Sequence, residues 1–267
     1  SGSAFALGTS DVICTATDAV SRTASCVFHV DVKLDVMLKG TRFLAFGDSL
    51  TAGEVAPAPG LLEYRPDLSY PTVLQQLLAQ RYTSQTISMT NCGVYGNLAT
   101  DDEDRLRSVL ANGGPCNDHN APGSVSRLAA AHFDALLLLE GTNDINALSP
   151  KLTIDDIVEA LRTDLRHARS AGVLQVFLAT LPPEFALGGD NVPVLNDRIR
   201  ALAASEGAVL VDIYAALGGQ SSTLIGVGGV HPTAQGYQVM AQTFFDAIRA
   251  NFEQPPTTPA NVQRIRR

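Results

Sequence analysis

Four residues lying far apart in a chain of 267 carry the groups that acyl transfer needs: a hydroxyl, an imidazole and two amide donors. Ser49 stands where the apolar run Arg42–Phe46 gives way to the polar stretch Gly47-Asp48-Ser49-Leu50, so its hydroxyl can be presented at a sheet edge. A serine hydroxyl is a weak nucleophile until a base removes its proton. Of the five histidines, His231 is best placed as that base, because it ends the glycine-rich loop Gly226-Val227-Gly228-Gly229-Val230 and precedes a helical pattern. His29 falls in a separate β-type segment, His167 in a charged helix, and His119 and His132 flank a loop. Surface or structural roles suffice for those four. Attack on a carbonyl also needs donors aimed at the developing oxyanion, each worth about 10²- to 10³-fold in rate. Gly96 offers a backbone N–H that no side chain obstructs, and Asn143 a side-chain NH₂. Taken singly these residues have ordinary explanations: Ser49 or Thr51 capping a helix, Gly96 in a turn, Asn143 in a turn or cap. Taken together, in this order at successive strand ends, they point to nucleophilic acyl transfer.

The elements that must position them alternate from Thr41 onward. Strands are expected at Arg42–Phe46, Gln85–Thr90, Ala135–Leu139, Leu174–Leu181 and Ala208–Ile213. Helices are expected at Pro71–Tyr82, Thr100–Leu110, Thr153–Ser170, Val194–Ser205 and Thr233–Asn251. Pro71 suits a first helical turn, and Thr153-Ile154-Asp155-Asp156 has the form of a reciprocal cap. Ala135–Leu139 contains no polar residue, as befits a strand covered on both faces. Five strands separated by helices imply a parallel sheet in three layers. Such sheets bind ligands beyond the carboxyl ends of their strands, where Gly47–Leu50, Asn91–Gly96 and Gly141–Asp144 all fall.

These blocks resemble the SGNH hydrolases, also called GDSL esterases and lipases. The first block is matched by Phe46-Gly47-Asp48-Ser49-Leu50-Thr51, the second by Asn91-x-Gly93-x-x-Gly96, the third by Gly141-Thr142-Asn143-Asp144 and the last by His231-Pro232-Thr233-x-x-Gly236-Tyr237. The resemblance implies a flavodoxin-like five-stranded parallel sheet, Ser49 as nucleophile and His231 as general base. It assigns the oxyanion hole to the Ser49 and Gly96 N–H groups with the Asn143 side chain, and implies no metal or organic cofactor. One position departs from the family pattern, which places an aspartate three residues before the histidine to hold the imidazole tautomer and stabilise its charged form. Here that position is Gly228, and the nearest upstream acid is Asp212, at the end of an expected strand. Two readings follow: a Ser-His dyad in which a backbone carbonyl near Gly228 accepts the Nδ1 proton, or a site weakened by loss of its acid. Asp48, Asp144 and Glu140 read as structural, through turn and loop hydrogen bonds.

Residues 1–36 differ in character. Asp11–Thr17 and Ala24–Val32 are β-type runs around the turn-like Asp18–Arg22. The pattern G-x-x-x-V-x-C-x-A-x-D, then C-x-F-x-V-x-V, resembles the closing hairpin of a hyalin-repeat (HYR) domain, an immunoglobulin-like sandwich. A lone hairpin is marginal in water, so it is expected to pack on the main domain or on another chain, self-association included. The organisation is therefore a hairpin over 1–36, a hydrolase-type domain over 37–253 and a proline-rich tail over 254–267.

Nineteen basic residues against 27 acidic ones give a net charge of −8, which disfavours nucleic acid as a partner. The longest apolar runs fall well short of the roughly 20 residues that cross a bilayer, and no leader pattern is read at the start. Cys14, Cys26, Cys92 and Cys116 lack a C-x-x-C pair and neighbouring zinc ligands. Spacing favours Cys14 with Cys26 and Cys92 with Cys116, hence an oxidising, secreted or envelope location. The expected activity is hydrolysis of short-chain carboxylic esters, on small molecules or on carbohydrate, through an acyl-enzyme. Tyr64–Tyr70, Asn112–Ser124 and Pro182–Pro193 are the loops expected to shape its pockets. A catalytically weak or inactive binding or adhesion protein is the alternative, and a lipid-acting lipase a further one.

Overall fold

The alternating residues near the amino-terminal end form an antiparallel hairpin of β1 (Gly8–Thr17) and β2 (Thr23–Val32). Its turn is closed by Asp18, whose carboxylate accepts from the Val20 and Arg22 backbone N–H groups, both at 2.9 Å. Ser21 supplies the left-handed residue at φ 66°. The hairpin carries Ile13, Val27 and Phe28 with 68%, 58% and 48% of their surface exposed. Cys14 and Cys26 are opposite each other in the ladder, yet both thiols are free. The expected bond between them is thus not formed: ladder register supplies proximity, but a disulfide also requires a C–S–S–C dihedral near 90°. The structure is a computed structural model and describes residues 5–6, 8–32, 36–112, 132–186 and 188–254. The tail from 255 onward, His119, Cys116 and most of the Asn112–Ser124 loop lie outside them.

The main unit spans Leu38–Glu253. In chain order it contains β3 (Arg42–Gly47), α1 (Ser49–Ala52), β4 (Glu54–Ala58), β5 (Leu61–Tyr64), α2 (Tyr70–Arg81), β6 (Ser88–Gly93) and α3 (Glu103–Asn112). There follow β7 (Ala135–Leu139), α4 (Thr142–Asn146), α5 (Ile154–Ser170), β8 (Gln175–Ala179), α6 (Val192–Glu206), β9 (Val209–Val211), α7 (Ile213–Ala216) and α8 (Ala234–Phe252). The five-stranded sheet has the order β9-β8-β7-β3-β6, and each adjacent pair is parallel. Its centre is β7, buried at all five positions, beside β3, buried from Phe43 to Gly47. Parallel strands need long crossovers, and the helices that provide them cover both faces. On one side α2 packs on α8, with Tyr70 and Phe244 stacked at 4.8 Å; α5 packs between α3 and α6.

Local chemistry fixes the ends of these helices. Thr153 and Asp156 form the reciprocal cap of α5, and Gly207 ends α6 in the left-handed conformation at φ 63°. Several elements differ from expectation: the last strand ends at Val211 with Ile213 already in α7, the helix expected from Thr100 begins at Glu103 after a separate turn, and α4 was not anticipated. The strand expected at Gln85–Thr90 lies at Ser88–Gly93, because Gln85 turns inward and brackets Leu38, accepting from its N–H at 2.7 Å and donating to its C=O at 3.1 Å. The β4–β5 hairpin was not anticipated; Pro57 and Pro59 make that stretch read as a loop, and its ladder slips between Val55 and Ala58.

Candidate active site

The end of β3 leaves no room for a side chain. A Cβ on Gly47 would lie 2.1 Å from Thr51 Oγ1 and 2.3 Å from the Leu139 carbonyl oxygen. Asp48 follows as the cap of α1, its Oδ1 accepting from the Leu50 N–H at 2.8 Å. The capping duty thus falls on Asp48, and Ser49, the first helical residue, keeps its hydroxyl for another partner. That partner is His231, whose Nε2 lies 3.0 Å from Ser49 Oγ. The imidazole is held by a loop tied across its own base: Gly226 donates to the His231 carbonyl at 2.7 Å, and Thr233 to that of Leu224 at 2.8 Å. Thr233 then caps α8 by accepting from the Gly236 N–H.

Gly96 and Asn143 come from the ends of the two strands that flank β3. Gly96 adopts φ +72°, a left-handed value that favours glycine. Asn143 donates one Nδ2 hydrogen to the Asn97 carbonyl at 2.8 Å, which orients the amide and leaves its second hydrogen. Asp144 ties the same two loops together, accepting from Ala99 N at 2.8 Å, Thr100 N at 3.1 Å and Thr100 Oγ1 at 2.8 Å. Ser49, Gly96, Asn143 and His231 therefore line one cleft of about 490 Å³, together with Glu54, Leu62, Tyr64 and Tyr95. Beneath it Arg105 stacks 3.8 Å from the Phe46 ring and pairs with Asp102 at 2.6 Å and the buried Glu140 at 3.3 Å. Burial, and then the Asp48 charge, hold the Glu140 carboxyl well above the usual carboxylate range. Asp48 is pushed up to about 7 by burial, against the opposing Leu50 N–H and His231.

Residues 45–239 match the GDSL-like Lipase/Acylhydrolase family. The chain belongs to that family. No curated protein matches it by sequence. Among solved structures it is similar to Axe2, an acetylxylan esterase from Geobacillus stearothermophilus, at 20% identity and TM-score 0.59, covering 79% of this chain and 96% of that one. It is also similar to LAE5, an alpha/beta hydrolase enzyme from the metagenome of Lake Arreo, Spain, at 19% identity and TM-score 0.57, with 79% and 96% covered. TesA aligns at 20% identity and TM-score 0.55, covering 78% and 98%. At these identities the likeness speaks to the fold; the family match makes the chain an ester hydrolase of the GDSL type.

Within this GDSL hydrolase the surroundings of His231 include a carboxylate that neither reading of the sequence named. Asp212 is occupied elsewhere: it caps α7 and pairs with Arg200 at 3.0 Å. Among the described residues no hydrogen bond joins Nδ1 to a carbonyl of the 225–230 loop, and both polar contacts of the ring are made by Nε2. The second is Glu54 Oε2 at 3.2 Å. Glu54 is the site residue that sequence reasoning missed. Its only signal was an acid placed just after the serine block, in Thr51-Ala52-Gly53-Glu54. Of the other described histidines, His29 pairs with Asp11 at 2.6 Å, His167 with Glu103 at 3.0 Å and His132 with Asp134 at 3.7 Å. Cys92 is buried and disulfide-bonded. Among the described residues no group of His, Cys, Asp and Glu is arranged to hold a metal ion, and no helix is long and apolar enough to cross a membrane.

Proposed function

We propose that this GDSL hydrolase cleaves short-chain carboxylic esters through an acyl-enzyme on Ser49, with His231 as general base. Ser49 Oγ bonds to the ester carbonyl carbon while its proton passes to His231 Nε2. The carbonyl oxygen takes up the displaced electron pair and meets the Ser49 and Gly96 N–H groups and the free hydrogen of Asn143. Collapse expels the alcohol, which takes the proton from Nε2; water repeats the sequence and releases the acid. The observation that carries this reading is the 3.0 Å approach of Ser49 Oγ to His231 Nε2 in a cleft that Gly96 and Asn143 also line. Among the described residues lining this cleft Leu62 is the one aliphatic side chain, which offers little apolar wall to a long acyl chain. Tyr64 and Tyr95, edge to face at 6.0 Å on its wall, supply aromatic surface of the kind that sugar rings stack on, which favours an acetylated carbohydrate as the alcohol part. The Cys92 disulfide supports an oxidising, extracytoplasmic location.

Hydrolysis of p-nitrophenyl acetate by the wild-type protein and by Ser49→Ala tests the reading. Loss of turnover to background in Ser49→Ala is expected; equal rates would favour the binding or adhesion alternative. Comparing acetate, butyrate and palmitate esters separates a short-chain esterase from a lipase, with acetate expected to turn over fastest.

A further inference from the structure

Position 228 cannot supply the acid that steadies a catalytic imidazole, and three other carboxylates face His231. Asp48 acts on it at a distance, but its Oδ1 is committed to the Leu50 N–H and burial favours its neutral form. Glu184 also acts electrostatically on the ring, and burial raises its pKa too. Glu54 alone touches the ring, with Oε2 3.2 Å from Nε2. It lines the catalytic cleft, and its side chain is 12% exposed.

The backbone that carries Glu54 is fixed from three sides. Gly53 ends α1 in the left-handed conformation at φ 102° and donates to the Ser49 carbonyl at 3.0 Å. Glu54 then pairs with Tyr64 in the β4–β5 ladder, and its carbonyl accepts from the Tyr237 hydroxyl on α8 at 2.6 Å. Ser49 and Glu54 thus belong to one short rigid segment, with the imidazole of His231 facing both.

We propose that Glu54 is the positioning carboxylate of His231, supplying the stabilisation of the charged ring, though not the tautomer selection, that an acid at position 228 would give. The inference rests on the proposed roles of Ser49 and His231. Its action is confined to the charged ring. A carboxylate on Nδ1 selects the tautomer that leaves Nε2 free to accept a proton, whereas one on Nε2 does not. It acts once the Ser49 proton has reached Nε2, when it lies beside the Nε2–H and the new positive charge. Glu54 takes no proton itself; the Nε2 proton goes on to the departing alkoxide as the acyl C–O bond breaks.

Glu54→Gln keeps the shape and removes the charge. Measured on p-nitrophenyl acetate, its kcat is expected to fall about 10²-fold, within the range for acid–base groups, with KM changed less than threefold. Glu54→Asp is expected to stay within tenfold of wild type. In Glu54→Ala, sodium formate is expected to restore kcat at least tenfold where sodium chloride at equal ionic strength does not. A Glu54→Gln enzyme with kcat within threefold of wild type would overturn the proposal, as would a change confined to KM. So would formate failing to rescue a folded Glu54→Ala protein. Ser49→Ala run alongside separates the two levels: if it abolishes turnover while Glu54→Gln does not, the Ser-His reading stands and only Glu54 is refuted.

Discussion

Removing the Asn143 amide isolates one donor of the proposed oxyanion hole. The side chain has two N–H hydrogens, and one is spent on the Asn97 carbonyl at 2.8 Å, so a single donor faces the cleft. Losing one such donor costs about 10²- to 10³-fold in kcat, or roughly 2.7–4 kcal/mol of transition-state stabilisation. Two secondary effects are small. The orphaned Asn97 carbonyl belongs to a partly exposed residue and can be hydrated. The loop carrying Gly96 stays tethered through the three hydrogen bonds that Asp144 accepts. Asn143→Ala should therefore lower kcat on p-nitrophenyl acetate about 10²- to 10³-fold, with KM changed no more than a few-fold, since the donor matters when charge develops. Asn143→Asp should be worse, because it aims a negative charge at the oxyanion. A kcat within threefold of wild type, or a rise in KM at constant kcat, would refute the assignment, provided circular dichroism shows both variants folded.

Two further perturbations test the electrostatics of the site. Burial raises Asp48 from 3.8 to about 7, so between those values the folded protein holds a proton that the unfolded chain releases. Stability should then decline as pH rises from about 4 to about 7 and level off above, by up to about 4 kcal/mol from this group. Asp48→Asn, which can still accept from Leu50 N, should show a shallower fall in Tm between pH 4 and pH 8; identical slopes for the two proteins would contradict the buried-acid account. At Gly228 a Cβ would meet only the Ala56 Cβ, at 3.3 Å. Gly228→Asp should fold and raise kcat at least tenfold, because a carboxylate on Nδ1 selects the tautomer that frees Nε2. An unchanged kcat in a folded variant would mean that the ring is already held in that tautomer.

What was legible in the sequence was local in origin. Ala135–Leu139 announced a doubly covered strand by composition, and Thr153 with Asp156 announced a helix start by hydrogen-bonding chemistry. Ser49, Gly96, Asn143 and His231 stood out because each follows a strand end or precedes a helix, and a parallel sheet gathers such positions at one edge. What was not legible depended on contacts between distant segments. Glu54 meets His231 only because α8 and the β4–β5 ladder hold its backbone in place, and neither partner's spacing encodes the other. The β4–β5 ladder was hidden by prolines that an irregular edge pairing tolerates. The start of β6 was displaced because Gln85 uses its side chain on Leu38, a long-range bond that β propensity does not register. The free thiols of Cys14 and Cys26 likewise show that facing positions are necessary for a cross-link without being sufficient.

The central claim is that an acyl group is carried covalently on Ser49. Acid-quenching the protein during turnover of p-nitrophenyl acetate and mapping its peptides by mass spectrometry tests this most directly. One acetyl group on the peptide containing Ser49, absent from Ser49→Ala, is the predicted result. Turnover that proceeds with no acetyl on that peptide, or with the label on another residue, would contradict the account.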